Sequence, residues 1–194
     1  MRVYPIVTGE VYHVYSKSIA GYTIFNNDPE YARMHKLFHY YQAIRPFVRF
    51  SRYEARNMQY LDTEKPDIKN IVQIICYCIM PTHIHLILKQ LKDKGISDFM
   101  RHILDSYTRY FNIKHNRKGP LLEGRFKRVL VESDEQLLHL TRYIHLNPAT
   151  AYLVNNPIDW RWSSYWEYVA EEKDGICKFD YVLDIKPDTY KTFV

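Results

Sequence analysis

The stretch MPTHIHLIL at positions 80–88 constrains the fold of this chain more than any other. Successive side chains of a β-strand point to opposite faces, so His83 and His85 share one face of the predicted strand while Ile84 and Leu86 share the other. Two neutral imidazoles at that spacing can hold one divalent metal ion. The plainer alternative is two half-buried histidines whose ring nitrogens are satisfied by neighbouring groups.

A second informative stretch lies well downstream and predicts an amphipathic helix. Ser133, followed three residues later by Gln136, is typical of a capping box at a helix start, and Pro148 is expected to end the helix. Tyr143 and Asn147 are four residues apart, so their side chains project from one face about 6 Å from each other. Taken alone, this pair is equally well explained as an interface tyrosine beside an asparagine at a helix end.

Together, these motifs resemble a known family. The segment MPTHIH at 80–85 is followed by YTRYFN at 107–112, GRFK at 124–127 and RYIHLNP at 142–148, in the order typical of that family. The chain is similar to the single-tyrosine HUH transposases, close to the REP-associated tyrosine transposases, over roughly 12–165. An ordered set of motifs is far more specific than any one of them.

The resemblance implies that the chain cuts and rejoins DNA strands. Tyr143 would attack a phosphate in single-stranded, hairpin-flanked DNA, leaving a 5′-phosphotyrosine link and a free 3′-hydroxyl. His83, His85 and Asn147 would hold the metal ion, Mg²⁺ or Mn²⁺. The family's palm-like HUH fold places the histidine strand centrally, under the tyrosine helix.

The chemistry of these residue types agrees with that implication. Negative charge grows on the phosphate oxygens during attack, and a divalent cation stabilises it. Two imidazoles and an amide oxygen, with positions left open, suit Mg²⁺ or Mn²⁺ better than a closed zinc site. A phenol is a weak nucleophile at neutral pH and needs a base or a cation, which the sequence does not identify. We expect activity to fall below about pH 6, because protonated histidines cannot bind metal.

Other residues compete for these roles. Tyr107 and Tyr110 lie in a long preceding helix, but neither has an asparagine four residues later. His139 precedes Tyr143 by four residues and shares its face, where a surface histidine is the plainer interpretation. His145 should point away from Tyr143.

Positive charge is concentrated between positions 101 and 128, where eight basic residues face two acidic ones. That segment carries +6 and the whole chain +5, so the remainder is slightly acidic. Aromatic residues interleave with the basic ones, as in surfaces that track phosphates and stack bases. A solvated helix face followed by a basic loop is the alternative. The predicted DNA-binding residues are Arg109, Arg117, Lys118, Arg125, Lys127 and Arg128.

The pattern of elements predicts an α+β fold in the order β-α-β-β-α-β-α. This order is compatible with a ferredoxin-like (RRM- or palm-like) antiparallel sheet with helices on one face, the arrangement of the HUH fold. Residues 1–168 are expected to form one domain and 169–194 an acidic, aromatic appendage of it, with a polar stretch at 51–69. The predicted strands are 11–18, 71–79, 84–89 and 126–131, and the predicted helices are 28–43, 97–115 and 134–146.

Composition narrows the class of protein. A chain of 194 residues can build one sizeable core. Its three cysteines, with Cys76 and Cys78 on one strand face, form no disulfide framework, so we expect buried thiols in a reducing compartment. No secretory signal or membrane-length apolar run is recognisable, which predicts a soluble cytoplasmic protein that is not associated with a membrane. The resemblance to the transposases implies a prokaryotic cell and association with the nucleoid.

Two other functions fit the same sequence. One is an RRM-like module that binds hairpin DNA or RNA without cutting it, for which a phenol beside a metal site would be unnecessary. The other is a metal phosphoesterase that uses water and would tolerate Tyr143→Phe. A homodimer is compatible with the sequence, which does not decide whether the tyrosine helix serves its own subunit or a partner.

Overall fold

A computed structural model of the protein describes residues 5–43, 50–55, 69–170, 175–179 and 186–194. Short 3-10 turns at Ile19–Gly21 and Pro157–Asp159 connect the larger elements. The strands are β1 (Val11–Lys17), β2 (Val72–Met80), β3 (His83–Gln90) and β4 (Lys127–Leu130), and the helices are α1 (Asp28–Tyr41), α2 (Phe50–Ala55), α3 (Gly95–Lys114), α4 (Asp134–Thr150), α5 (Tyr165–Val169) and α6 (Pro187–Phe193).

The four strands form one antiparallel sheet in the order β2-β3-β1-β4. A tight turn at Pro81 and Thr82 joins β2 to β3, which correspond to the strands predicted at 71–79 and 84–89. The α+β class, the order of elements and the central place of the histidine strand are therefore confirmed. β1 lies between β3 and β4, so residues near the start of the chain lie next to the histidine strand β3.

Helices cover both faces of this sheet, not the single face that the sequence predicted. On one face α1 and α3 enclose a core with Leu37 and Ile103, and on the other α4, α5 and α6 enclose a core with Ile144 and Tyr190. The physical reason is the burial pattern of the hairpin strands β2 and β3. β2 is buried at every position from Ile74 to Met80, so neither of its faces can be left to water.

The tyrosine helix α4 begins where predicted and ends later. The Ser133 hydroxyl accepts a hydrogen bond from the Gln136 backbone N–H at 3.1 Å, and the Gln136 side chain accepts one from the Glu132 backbone. The prediction that Pro148 ends the helix is wrong, because α4 continues to Thr150. A proline this close to the end removes one backbone hydrogen bond from the last turns, which the packed remainder of the helix tolerates.

A buried carboxylate ties α1 to the end of α3. Glu30 is fully buried and lies 2.8 Å from the Lys114 ammonium, and 2.7 Å separates its Oε1 from Nε2 of His115. Asn26 donates to it from both its backbone and its side chain. Burial by itself would raise the pKa of Glu30, but the hydrogen bonds from Lys114 and Asn26 lower it to about 2. This cluster fixes the helix that carries the first part of the basic segment.

The polar stretch expected at 51–69 is described only in part. Its first residues belong to α2, and 56–68 lie outside the described residues. Within the appendage predicted at 169–194, Tyr190 of α6 is fully buried in the core beneath α4. Cys76 and Cys78 are buried and free, as expected. Within the described ranges, no helix has the length and apolar character needed to cross a membrane.

Candidate active site

His83 and His85 point to the face of the sheet that α4 covers. Their ring centroids are 5.0 Å apart and the rings are nearly perpendicular. His85 is 5% exposed, whereas His83 is half-buried. The predicted shared face is confirmed, and the pair forms the floor of the candidate site.

One ring nitrogen of each histidine has a partner within the protein. Nδ1 of His83 lies 2.9 Å from the Thr82 hydroxyl, and Nδ1 of His85 lies 2.9 Å from Nε2 of His13. In both rings, Nε2 is therefore the nitrogen that could bind a metal ion. His13 is a residue that the sequence reasoning missed. The signal was its place in the alternating strand β1, where the neighbouring Val14 is buried in the core.

The local environment keeps the imidazoles uncharged. Burial lowers the pKa of His13 to about 4. Burial, together with the charge of Lys17, lowers the pKa of His83 to about 4. Burial also lowers the pKa of His85 to about 3, with smaller effects from His83, His13 and Lys17. All three rings are therefore neutral at pH 7, which is the form that can bind a metal ion. They are still neutral at pH 6, so the loss of activity expected below about pH 6 should occur at a lower pH, towards 4.

Tyr143 lies over this floor and belongs to the same chain. Its ring centroid is 5.9 Å from that of His85, with the planes nearly perpendicular. The apolar side chains of Leu137 and Ile144 seat α4 in the core, while Tyr143 stays 52% exposed. The phenol is thus positioned by a buried helix face and remains accessible from solvent.

Asn147 follows one helical turn after Tyr143, as predicted. Its Nδ2 donates a hydrogen bond of 3.2 Å to the backbone carbonyl of Tyr143, so Oδ1 is the atom with which it could bind a metal ion. An amide oxygen is a suitable ligand for a hard divalent cation.

These residues fit a metal ion in an open coordination site. Histidine ligands are usually neutral imidazoles. One ring nitrogen is hydrogen-bonded within the protein, and the other is bare and can bind the metal ion. The described part of the chain contains no group of three or more His, Cys, Asp or Glu that could hold a metal. The predicted ligands His83, His85 and the Asn147 oxygen are donors of the kind that could hold such an ion, with positions left for water and phosphate. This set favours Mn²⁺ or Mg²⁺ over a closed zinc site.

The competing residues lie elsewhere. Tyr107 is fully buried on the opposite face of the sheet and donates its hydroxyl to the Ile24 carbonyl at 2.6 Å, so it is not available as a nucleophile. Tyr110 packs against that same core. His139 is exposed and its ring lies 5.5 Å from that of Phe193. Of the helix tyrosines that compete for the role, Tyr143 is the one whose ring lies beside His85.

His145 points away from Tyr143, as expected, into the core beneath α4. Its Nδ1 lies 2.7 Å from the Tyr190 hydroxyl, and its Nε2 lies 2.8 Å from the Ser164 hydroxyl. Burial lowers its pKa to about 3. This neutral, hydrogen-bonded imidazole anchors the buried side of the helix that presents the phenol.

A groove of about 780 Å³ runs between α3 and the segment that leads into β4. Arginines dominate its charge, and Phe126 adds an aromatic surface. The predicted DNA-binding residues Arg109, Arg125 and Arg128 all line it, together with Arg101.

A smaller depression continues from this groove towards the histidines. Arg125 lines both, and the depression also contains Tyr15, Lys17 and Lys127. The Tyr15 ring lies 5.8 Å from that of His85. Basic and aromatic side chains thus form a path from the groove to the site.

The remaining two predicted contacts lie in the loop after α3. Arg117 donates hydrogen bonds to the Asn112 side chain and to the Pro120 carbonyl, which holds the loop closed. Lys118 is exposed. These two side chains do not line the groove.

Comparison with known proteins finds a family match over part of the chain. Residues 57–147 match the model of the family described as transposase IS200 like. That segment includes both histidines of the site, Tyr143 and Asn147. Among curated proteins, none matches this chain significantly.

A solved structure shares the fold. It is described as the structure of the REP-associated tyrosine transposase bound to a REP hairpin, and it covers 95% of this chain and 93% of its own, with a TM-score of 0.57 and 17% sequence identity. Residues 57–147 are therefore similar to the IS200-like transposase family, and the chain shares the fold of this REP-associated tyrosine transposase.

Proposed function

We propose that this protein is a metal-dependent tyrosine transposase that cuts and rejoins single-stranded, hairpin-flanked DNA through a 5′-phosphotyrosine intermediate. The observation that carries the proposal is the position of Tyr143, an exposed phenol whose ring lies 5.9 Å from that of His85 in the same chain. A protein that only binds DNA would not need a phenol at two neutral imidazoles.

His83, His85 and Asn147 are the residues that would hold the metal ion. Their side chains supply two neutral nitrogens and one amide oxygen, so the ion would keep its full positive charge. When bound, Mg²⁺ or Mn²⁺ would stabilise the negative charge that develops on the phosphate oxygens.

The reaction exchanges one phosphoester for another. The Tyr143 oxygen forms a bond to phosphorus and the bond to the 3′ oxygen breaks, which leaves the 5′ end on the tyrosine. The phenol loses its proton as it attacks, and the departing 3′ oxygen gains one. Attack of a 3′-hydroxyl on the phosphotyrosine reverses the exchange and rejoins a strand.

DNA binding is proposed for the arginine-lined groove and the path that leads from it. Arg109, Arg125 and Arg128 would contact phosphates, with Lys127 nearer the site, while Phe126 offers a surface for base stacking. Lys118 would add a contact at the loop, which Arg117 holds in shape. The solved structure with this fold contains a REP hairpin, which supports a hairpin as the substrate here.

The proposal places the protein on cytoplasmic DNA at the nucleoid. It does not require a second copy of the chain, because the residues proposed for the site all come from one.

The deciding experiment is covalent capture. The protein is incubated with Mn²⁺ or Mg²⁺ and labelled single-stranded hairpin DNA from the sequence flanking its own gene, then separated on a denaturing gel. Tyr143→Phe is the test variant. Tyr152→Phe is the matched control, because Tyr152 is 96% exposed just beyond the end of α4.

We expect a protein–DNA adduct in the wild type and in Tyr152→Phe, and none in Tyr143→Phe. Cleavage that persists in Tyr143→Phe without an adduct would instead indicate a phosphoesterase that uses water. Metal-independent binding by all three proteins, with no cleavage, would indicate a binding module. Either of these results overturns the proposal.

A further inference from the structure

His13 is in direct contact with one of the proposed metal ligands. Its Nε2 lies 2.9 Å from Nδ1 of His85, and the two rings are nearly coplanar, with centroids 5.2 Å apart and an angle of 20° between the planes. The sheet produces this contact, because His13 pairs with Ile87 across β1 and β3 and is therefore a diagonal neighbour of His85 on the same face.

The contact restricts where the His85 proton can be. A neutral imidazole has one N–H donor and one bare nitrogen, so one ring of the pair donates and the other accepts. If His13 donates, His85 keeps its proton on Nε2 and that nitrogen cannot bind a metal ion. If His85 donates from Nδ1, its Nε2 is bare.

We infer that His13 is a positioning residue that accepts the Nδ1–H of His85 and so holds the His85 Nε2 bare towards the cation site. The inference rests on the proposed function only in assigning His85 as a metal ligand. Histidine ligands commonly have such a partner on the second ring nitrogen, which fixes both the tautomer and the ring orientation.

The same contact argues that His13 is not itself a ligand through Nε2. That nitrogen is occupied by His85.

Mn²⁺ affinity of the full chain, measured from the electron paramagnetic resonance signal of free Mn²⁺, tests the role without relying on activity. His13→Phe keeps an aromatic ring at this position but removes the acceptor, whereas His13→Gln restores an acceptor oxygen. His102→Phe is the matched control, a half-buried histidine that stacks on Tyr41 in another part of the molecule.

We expect His13→Phe to weaken Mn²⁺ binding by about 10- to 100-fold. His13→Gln and His102→Phe should stay close to the wild-type affinity. Wild-type affinity in His13→Phe, or an equal loss in His13→Gln and His13→Phe, would overturn the inference.

A second measurement needs no variant and no metal. Long-range ¹H–¹⁵N correlation spectra of the wild type report which His85 nitrogen carries the proton, and we expect Nδ1. A proton on Nε2 overturns the role of His13. Failure of the wild type to bind Mn²⁺ would count against the proposed metal dependence, while these spectra would still decide the role of His13.

Discussion

The ring of Tyr143 lies over His85 of its own chain, with centroids 5.9 Å apart and planes at 84°. α4 reaches this position by packing on the sheet of the same molecule, with Leu137 and Ile144 in the core that includes Ile75 and Ile87. Both halves of the candidate site therefore belong to one subunit.

A complementation experiment tests this arrangement. Tyr143→Phe supplies an intact histidine pair, and a variant with both His83→Ala and His85→Ala supplies an intact tyrosine. A mixture of the two should form no covalent adduct, because each molecule lacks one half and the tyrosine reaches only its own histidines. Denaturing gels with labelled hairpin DNA provide the measurement. Recovery of adduct in the mixture would show that the tyrosine acts on a partner subunit.

Asn147 should affect metal use more than DNA binding. Asn147→Ala removes the amide oxygen, and we expect the Mn²⁺ concentration for half-maximal adduct formation to rise about 10-fold or more. Asn147→Asp keeps an oxygen ligand and should require no more metal than the wild type. Asn156→Ala is the control, because Asn156 only caps the short turn at Pro157–Asp159. An Asn147→Ala variant with wild-type metal dependence would remove Asn147 from the ligand set.

Local periodicity was enough to predict the parts of the site that lie within one element. Alternation along a strand placed His83 and His85 on one face, and the four-residue helical repeat placed Asn147 beside Tyr143. His13 was not predicted, since its relation to His85 depends on the register between β1 and β3. That register is set by packing across the whole sheet, which no local pattern encodes.

Two further differences between the sequence predictions and the structure also arise from packing across the whole molecule. An amphipathic pattern shows which side of α4 is buried but not which face of the sheet receives it, so the placement of helices on both faces was not predicted. A basic side chain can bind either a phosphate or a backbone carbonyl, and the sequence does not show which of the two it binds. Arg117 is directed to the carbonyls of its own loop, whereas Arg109 and Arg125 line the groove.

The groove arginines should control the salt dependence of DNA binding. A variant with both Arg109→Ala and Arg125→Ala should bind hairpin DNA more weakly, and the slope of log K against log salt concentration should decrease by about 1 to 2 for two lost phosphate contacts. Arg161→Ala is the matched control, an exposed arginine that pairs with Asp28 away from the groove. Binding isotherms from 50 to 200 mM salt check the slope. An unchanged slope in the double variant would show that DNA passes elsewhere.

Glu30 should stabilise the fold at neutral pH and lose its effect in acid. Its pKa is lowered to about 2 in the folded protein from an ordinary 4.5, so the unfolded chain takes up a proton first as the pH falls. The stabilisation is therefore complete above about pH 4.5 and disappears towards pH 2. Glu30→Gln should cost about 1–3 kcal/mol at pH 7, since Lys114 and His115 lose a charged acceptor. Urea unfolding at several pH values gives the difference, with the exposed Glu10→Gln as control. A difference that is constant down to pH 2 would contradict the argument.

His145 should also make the folded protein less stable as the pH falls, but over a higher pH range than Glu30. Its folded pKa of about 3 is below the ordinary 6.5, because burial beneath α4 disfavours the charged ring. Between about pH 6.5 and pH 3 the unfolded chain holds a proton that the folded chain excludes, so the free energy of unfolding falls by up to about 1.4 kcal/mol per pH unit from this residue.

His145→Gln removes that titration. The variant should be less stable than the wild type at pH 7 by about 1–3 kcal/mol, because Tyr190 and Ser164 lose their buried partner. As the pH is lowered from 6.5 to 4, its free energy of unfolding should fall less steeply than that of the wild type, by the equivalent of one proton. His13, His35, His83 and His85 contribute to the remaining slope, because burial also lowers their pKa values. Equal slopes in the two proteins would mean that the pKa of His145 is not lowered in the folded state.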